Sequence, residues 1–443
     1  MRLWGKIRMS VFQIIVFGFA GLILAGTLLL MLPASSREPG GAGFEDCLFT
    51  ATSAVCVTGL VVRDTALCWT GFGQVVILLL IQTGGLGIIT AAAALATFSG
   101  RRIGLMQRST MQEALSVPQV GGVVRLTRFI VLSTAAVETA GALLLLTAFV
   151  PEFGWKRGAW YALFHAVSAF CNAGFDLMGI RGEFSSLTLW AQHPCVNIVL
   201  ILLIIAGGVG FLVWDDLARH LYRIRRYRLQ SKIVLLTSAV LVLLPFLWFW
   251  GFEMKTLPPS SRILPSLFQS VTLRTAGFNT VDLGQISGAG RSIMILAMLI
   301  GGSPGSTAGG MKTSTAAVLA LTAHTVLRRK DEVTCFGRRV GQDAVRSAVS
   351  ILCLYFFLFY SSGLILSAIE KLPLEACLFE TASALGTVGL SLGITSSLGS
   401  VSRMILITLM FLGRVGALTL IYAAQPVRTS PHCSLPLEKV AIG

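Results

Sequence analysis

Charged residues are scarce in this chain: Asp, Glu, Lys and Arg make up 12% of its 443 residues. Acids are rarer than bases, with 20 Asp and Glu against 35 Lys and Arg. A soluble domain needs a charged surface, which this composition cannot supply, because 54% of the residues are hydrophobic. The composition therefore excludes an ordinary soluble protein and favours a membrane protein.

Motifs for catalysis and metal binding are also missing. The sequence contains no nucleotide-binding glycine loop, zinc-ligand spacing or nucleophile elbow, and its nine cysteines form no framework. We therefore expect no enzyme and no covalent cofactor. A disulfide between Cys47 and Cys68 stays open at this point. The basic residues cluster between apolar runs, so a nucleic-acid partner is not expected.

Long apolar runs dominate what is present, and each is about as long as a bilayer is thick. Five runs contain no Asp, Glu, Lys or Arg: Val11 to Leu32, Gln74 to Phe98, Cys195 to Trp214, Ile233 to Phe252 and Ser347 to Ile369. Two others, Phe129 to Val150 and Met404 to Ala424, carry one charge each. These runs predict an all-α polytopic membrane protein.

The basic clusters predict the orientation. They lie at Arg2 to Arg8, Arg101 to Arg108, Arg219 to Lys232 and Arg328 to Arg346. All four fall on one side of the membrane once the spans are threaded, and the positive-inside rule makes that side cytoplasmic. We expect a multi-pass protein of the cell inner membrane with both termini in the cytoplasm.

One short pattern occurs four times, at intervals of about 110 residues: Thr58-Gly59-Leu60, Ala173-Gly174-Phe175, Ala276-Gly277-Phe278 and Val388-Gly389-Leu390. Each copy follows an amphipathic stretch of about a dozen residues, whereas a spanning helix needs about 20. These stretches are Phe44 to Ala54, Trp160 to Phe170, Leu264 to Leu273 and Glu375 to Leu385. They predict four re-entrant pore helices.

Each copy predicts a unit with a spanning helix, a pore helix, a glycine segment and a second spanning helix. The units are 1–100, 101–218, 219–328 and 329–443, and the fourth includes a short C-terminal tail. The fold is then four pseudo-symmetric units, with eight spanning helices and four pore helices, around one central pore.

The glycine segments predict a cation filter. Rings of backbone carbonyls can replace the hydration shell of K⁺, and the backbone angles that aim them inward suit glycine. Each pore helix also points its negative C-terminal end at the ion. We expect K⁺ at the carbonyls of Val57, Thr58, Gly59, Asn172, Ala173, Gly174, Thr275, Ala276, Gly277, Thr387, Val388 and Gly389.

The second span of the third unit predicts a gate. If helical throughout, Ser292 to Leu327 would extend about 54 Å, beyond a hydrocarbon core of about 30 Å. We expect its middle to unwind into a loop across the path, formed by Gly301, Gly302, Ser303, Pro304, Gly305, Ser306, Thr307, Gly309 and Gly310. Similar glycine clusters halfway along the other second spans indicate close packing or bending.

Three charged residues have predicted places near this path. Arg414, in the middle of a span, should face the interior and latch the gate loop, with a purely structural clamp as the alternative. Arg274, three residues before Gly277, should hold the filter from behind, paired with a pore-helix acid such as Glu380.

These four segments, from Ser53 to Leu60, Ser168 to Phe175, Arg274 to Asn279 and Ser383 to Leu390, resemble the filter segments of the Trk/Ktr/HKT cation transporter superfamily. The chain is most similar to the Ktr-type potassium uptake membrane subunits. The resemblance implies a homodimer, a cytoplasmic regulatory ring of nucleotide-binding RCK-type subunits, and a gate loop that interacts with Arg414. Some relatives are assisted by Na⁺, so Na⁺ remains open as an activator.

The resemblance favours K⁺ because plant relatives selective for Na⁺ carry serine at the first filter glycine, where this chain has Gly59. Ser303-Pro304 and the basic tail from Arg428 depart from the family pattern. Two alternatives remain: a sodium-selective or non-selective cation transporter of the same fold, and a twelve-helix carrier for small organic solutes in which the re-entrant segments are full spans.

Overall fold

The computed structural model describes residues 10–98, 110–112, 122–221 and 223–424. The expected basic clusters at Arg2 to Arg8 and Arg101 to Arg108, and the tail from Arg428, lie outside the described residues. The described part is helical throughout, apart from loops and one two-stranded hairpin of β1 (Thr334–Cys335) and β2 (Arg338–Arg339).

The helices follow the predicted order of four units. In the first unit they are α1 (Val11–Leu30), α2 (Phe44–Val55), α3 (Thr65–Cys68), α4 (Gly71–Leu86) and α5 (Ile88–Phe98). In the second they are α6 (Val123–Phe170), α7 (Pro194–Val209) and α8 (Phe211–His220). In the third they are α9 (Leu229–Trp248), α10 (Pro259–Thr272), α11 (Gly288–Leu299) and α12 (Thr313–Leu327). In the fourth they are α13 (Gln342–Glu370), α14 (Leu374–Gly386), α15 (Ser400–Val415) and α16 (Ala417–Ala424).

Each unit begins with one long apolar helix. Among the described residues, four helices are long and apolar enough to cross a bilayer, and they are α1, α6, α9 with its continuation to Thr256, and α13. Helix α6 also contains the pore helix of its unit, because the chain turns at Gly154, which has φ +74°. This arrangement confirms the predicted fold class of helix, pore helix and returning helix.

The second spanning helix is broken in all four units, whereas the sequence predicted an unwound middle only in the third. The runs Gln74 to Phe98, Cys195 to Trp214 and Met404 to Ala424, whose glycine clusters indicated close packing or bending, break at Gly87, Gly210 and Gly416. These glycines have φ of +83°, +97° and +91°, a conformation that a residue with a Cβ rarely adopts. The two halves meet at 98° at Gly210 and at 89° at Gly416.

The other glycines of these clusters serve close packing. A Cβ at Gly84 would overlap the carbonyl of Val55, and one at Gly207 that of Phe170. A Cβ at Gly413 would likewise meet the carbonyl of Leu385, at the end of the fourth pore helix. The second helices can therefore approach the C-terminal ends of the pore helices, so the glycine clusters provide both packing and bending.

The pore helices are short, as predicted. They end at Val55, Phe170, Thr272 and Gly386, a few residues before each filter glycine. The phenylalanines on their buried faces, Phe49, Phe164, Phe268 and Phe379, are fully buried and anchor the helices in the common core. Pore helices of this length cannot be the full spans of a twelve-helix carrier. The disulfide left open in the sequence is absent, because Cys47 and Cys68 are both free.

Candidate functional site

The four filter glycines form a closed ring. A Cβ built on Gly59 would lie 2.5 Å from the carbonyl oxygen of Ala173, the residue before the next filter glycine. Gly174 stands in the same relation to Ala276, Gly277 to Val388, and Gly389 to Thr58, all within 2.6 Å. Each unit therefore contacts the next one, and the fourth contacts the first. Four segments that are far apart in sequence meet around one axis.

The backbone of each segment repeats the same unusual conformation. The filter glycines have φ between +68° and +92°. The residues two positions earlier also have positive φ, and they are not glycines: Val57 (57°), Asn172 (58°), Thr275 (65°) and Thr387 (52°). Such angles cost free energy in a residue with a Cβ, so they persist only where the surroundings impose them.

Hydroxyl groups of the pore helices hold the segments in this shape. Ser53 accepts a hydrogen bond from the backbone N–H of Gly59 at 3.1 Å, and Ser383 accepts one from Gly389 at 3.0 Å. In the second unit, Ser168 instead donates to the carbonyl of Phe175 at 2.7 Å. The serine six residues before the glycine therefore has a structural role in these three units.

The third unit reaches the same shape with one residue fewer. Its hydroxyl comes from Thr272, five residues before Gly277, and donates to the carbonyl of Phe278. The backbone N–H of Ala276 bonds to the carbonyl four residues back, where the equivalent bond in the other units reaches five residues back. A one-residue deletion in the turn explains why Phe268 precedes its glycine by nine residues and why Val271 occupies the expected serine position.

Behind the filter, polar side chains of the pore helices hold the chain as it leaves each glycine. Glu380 accepts hydrogen bonds from Ser391 and, at 2.9 Å, from Thr395. His165 occupies the equivalent position in the second pore helix, and its Nε2 accepts from the backbone N–H of Leu177 at 3.5 Å. Glu380 is fully buried and lies next to the fourth filter segment.

The expected pair of Arg274 and Glu380 is not formed, and this prediction is wrong. The guanidinium of Arg274 donates to the backbone carbonyls of Ile300, at 2.6 Å, and Gly301, at 2.7 Å. Those carbonyls lie at the C-terminal end of α11, where a helix leaves its last carbonyls unpaired and where a cation is favoured. Arg274 therefore caps α11 and joins the third filter segment to the start of the gate loop, defined as residues 301–310.

The loop predicted to be the gate packs against the base of the predicted filter segments. Its backbone N–H groups bond to carbonyls of other units: Ser303 to Gly208 at 3.0 Å, and Gly310 to Gly413 at 3.1 Å. The hydroxyl of Thr307 donates to Asn172 at 3.3 Å. A Cβ on Gly309 would collide with Thr387, at the base of the fourth filter segment. The loop thus connects the second and fourth units, which stand on opposite sides of the ring.

Arg414 crosses from the loop to the first unit. Its guanidinium donates to the backbone carbonyls of Thr307, Gly84 and, at 2.9 Å, Gly85. No described carboxylate forms an ion pair with it. Carbonyl oxygens at the C-terminal end of α4 thus satisfy an arginine that would be costly in the bilayer interior. The contact with the loop expected from the sequence is present.

Two cavities border this assembly, one on the side of the filter glycines, which we name the outer cavity, and one on the side of the loop, which we name the inner cavity. The outer one, of about 160 Å³, is lined by all four filter glycines. The inner one, of about 350 Å³, is lined by the gate-loop residues Gly305, Ser306 and Gly310 together with Lys312 and Arg414. The filter ring and the loop therefore occupy the stretch between the two cavities.

The outer cavity also contains two acids that the sequence analysis missed, Asp64 and Asp176. Burial, with a smaller contribution from the negative charge of Asp64, raises the pKa of the Asp176 carboxyl to about 6, although the hydrogen bond from the N–H of Met178 acts in the opposite direction. The sequence does contain a signal for these two residues, namely an acid two residues after Gly174 and another five residues after Gly59.

Within the described residues, no group of three or more His, Cys, Asp or Glu could hold a metal ion.

The comparisons with known proteins agree with this geometry. The TrkH family, described as cation transport protein, matches residues 8–432. The potassium/sodium uptake protein NtpJ of Enterococcus hirae is 38% identical, over 98% of this chain and 98% of its own. The Ktr system potassium uptake protein B of Bacillus subtilis is 37% identical, over 94% of this chain and 93% of its own.

A solved structure has the same fold. The potassium transporter TrkH from Vibrio parahaemolyticus superimposes with a TM-score of 0.75, covering 96% of this chain and 87% of its own at 21% identity. Since the family match spans nearly the whole chain, and two relatives exceed 30% identity over nearly their full length, the chain belongs to the TrkH family of cation transport proteins.

Proposed function

We propose that this protein takes up K⁺ across the cell inner membrane by channel-like permeation. The observation that carries the proposal is the ring of four glycines, in which each glycine abuts the carbonyl of the residue before the next one. A dehydrated K⁺ needs several oxygen ligands at once, and carbonyls from four units around one axis can supply them. The C-terminal ends of four pore helices add a favourable field for a cation.

In this proposal the ion enters through the outer cavity, where Asp64 and Asp176 add negative charge. It then passes the filter formed by residues 57–59, 172–174, 275–277 and 387–389. Below the filter it meets the gate loop, held in place at its start by Arg274 and in its middle by Arg414. Transport therefore requires the loop to move aside, and Arg414 acts as its latch.

The second candidate is transport of Na⁺ beside K⁺. One full-length relative is named a potassium/sodium uptake protein, while another is named for potassium alone. We favour K⁺ as the preferred ion because all four filter positions carry glycine and adopt one backbone conformation. Carbonyls contributed by four equivalent segments around one axis can replace the hydration shell of K⁺. Na⁺ then has the role of a competing ion or of an activator.

We further propose the assembly expected from the resemblance. The protein forms a homodimer and binds a cytoplasmic RCK-type ring, with both termini on the cytoplasmic side. The exposed arginines Arg223, Arg225, Arg328 and Arg329 lie on the face that the positive-inside rule assigns to the cytoplasm. A regulatory ring bound there could act on the gate loop through α12, which begins three residues after it.

The test is the reversal potential of the purified protein in a planar bilayer with K⁺ on one side and Na⁺ on the other. We expect it to approach the K⁺ equilibrium potential and to shift with the K⁺ gradient. A potential near zero under these bi-ionic conditions would identify a non-selective pathway. A potential near the Na⁺ value would identify the sodium transporter. Absence of any current in several lipid mixtures, with uptake coupled to a solute gradient, would overturn permeation itself.

A further inference from the structure

A side pocket outside the conduction path reaches the gate loop. It has a volume of about 440 Å³, lies between α7, α9 and α10, and is lined almost wholly by apolar side chains such as Ile205, Val242 and Leu243. Its inner end is formed by Arg274 and the gate-loop residue Gly302. The exposed side chains around it, including Leu243, face the hydrocarbon of the membrane, so the pocket opens to lipid.

The pocket continues as a groove toward one membrane surface. A second cavity of about 620 Å³ shares Ile205, Val209 and Leu235 with it and ends at Ile224 and Tyr227. From Leu229, where α9 begins, to Leu243 in the pocket, the helix rises about 21 Å. One leaflet of a bilayer core is about 15 Å thick. The groove is therefore long enough to contain the whole acyl chain of a phospholipid in that leaflet.

Unpaired positive charge lies at the surface end of this groove. Arg223, Arg225 and Arg226 flank Ile224, are exposed, and form no ion pair with any carboxylate in the described part of the chain. Their neighbours Arg219 and Arg228, by contrast, are bound to Asp215 and Asp216. A cluster of arginines beside a lipid-facing groove attracts an anionic headgroup.

We propose that this groove is a binding site for an anionic phospholipid, with its headgroup at the three arginines and one acyl chain extending to Gly302. The chain end would then press on the segment that Arg274 holds. Gly302, at the start of the loop, is bonded to the far end of the loop and to the helix that follows it, because its N–H donates to the carbonyl of Gly309 and its carbonyl accepts from the N–H of Thr313, the first residue of α12. A bound chain therefore stabilises the loop in the position described here. This last step rests on the proposed function, whereas lipid binding does not.

Binding is tested by native mass spectrometry of the purified protein in phosphatidylcholine with added phosphatidylglycerol. The triple variant Arg223→Gln, Arg225→Gln, Arg226→Gln should retain less phosphatidylglycerol than the wild type, by a factor of about ten or more. The matched control removes three exposed positive charges elsewhere, with Arg328→Gln, Arg329→Gln and Lys330→Gln. Equal retention in the two triple variants would overturn the headgroup site. The same spectra report oligomer mass, so a dimer lost only in the first variant would identify a second copy as the occupant and overturn the proposal.

The acyl chain is tested by filling the pocket. Ala239→Trp, in the pocket lining, should lower lipid retention, whereas Leu236→Trp, exposed on the same helix and outside both cavities, should not. The arginine variant should also raise K⁺ flux in liposomes, because the loop loses its support. Lost lipid with unchanged flux would refute the coupling to the loop. If wild-type protein carries no K⁺ in any lipid, the proposed function fails, and the mass spectra still decide the site.

Discussion

Replacing Gly59 by alanine tests the filter most directly. The added Cβ would lie 2.5 Å from the carbonyl oxygen of Ala173, although real Cβ atoms essentially never come closer than 3.0 Å to another heavy atom. The oxygen must therefore retreat by about 0.5 Å, since the difference between these two distances is the overlap to be removed. The φ of +92° adds about 1–2 kcal/mol of strain for a residue with a Cβ.

This displacement moves an oxygen of the proposed ion site rather than a side chain. If K⁺ loses about 1–2 kcal/mol of its advantage over Na⁺, discrimination falls about 5- to 30-fold. We expect the bi-ionic reversal potential to shift from the K⁺ value toward zero. Gly59→Ser should act in the same direction, since serine also carries a Cβ.

The matched control is Gly21→Ala in α1, where a Cβ would meet nothing within 4 Å and the helical conformation suits alanine. It should express at least as well as the wild type and keep its selectivity. The reasoning is refuted if Gly59→Ala matches this control in expression, in K⁺ current and in reversal potential. A variant that fails to reach the membrane is replaced by Gly277→Ala, whose Cβ would meet the carbonyl of Val388 at 2.6 Å.

Three further predictions concern the residues around the filter. Arg414→Ala removes the bonds to Thr307, Gly84 and Gly85 and should raise K⁺ flux several-fold in liposomes; flux at the wild-type level would exclude a latch. Arg274 and Glu380 have separate partners, so the changes in the free energy of unfolding caused by Arg274→Lys and Glu380→Gln should add within about 0.5 kcal/mol in the double variant, as measured by thermal unfolding. A larger coupling energy would support the pair expected from the sequence. Asp176 should be protonated as pH falls through about 6, so the entrance loses a negative charge and the KM for K⁺ uptake should rise between pH 7 and pH 5. In Asp176→Asn the KM should be insensitive to pH over this range. A pH profile of the variant that matches the wild type would exclude Asp176 from the entrance.

The unit structure of the fold followed from the sequence because bilayer thickness is a strong constraint. An apolar run of about 20 residues can span the membrane and an amphipathic stretch of about a dozen cannot. The pore helices ending at Val55 and Phe170 were therefore predictable to within one residue. The filter segments were equally recognisable, because a glycine after small and hydroxyl residues recurs four times in the same relation to the apolar runs.

The breaks in the second helices were less predictable. Around Gly210 and Gly416 the sequence remains apolar except for Arg414, so hydropathy alone does not indicate a break at either glycine. In the third unit, by contrast, ten residues rich in glycine and serine made a helix implausible. A single glycine can either remain helical or adopt φ near +90°, and the choice depends on the chain packed against it. Contacts with the gate loop make that choice at Gly210, where Phe211 donates to the carbonyl of Gly305.

The chemical groups along the path could be predicted from residue types and spacing, because each is a local feature of the sequence. They are the hydroxyls and glycines before each turn, an arginine inside a span, and a segment too long to be helical throughout. Which groups meet is not local. Arg274 had a plausible acid in Glu380, yet the fold brings the end of α11 to it instead, and carbonyls left unpaired by a broken helix satisfy its charge. Only the packed structure decides such partners. A buried guanidinium can donate to carbonyl or carboxylate oxygens alike, and the fold determines which oxygens are within reach.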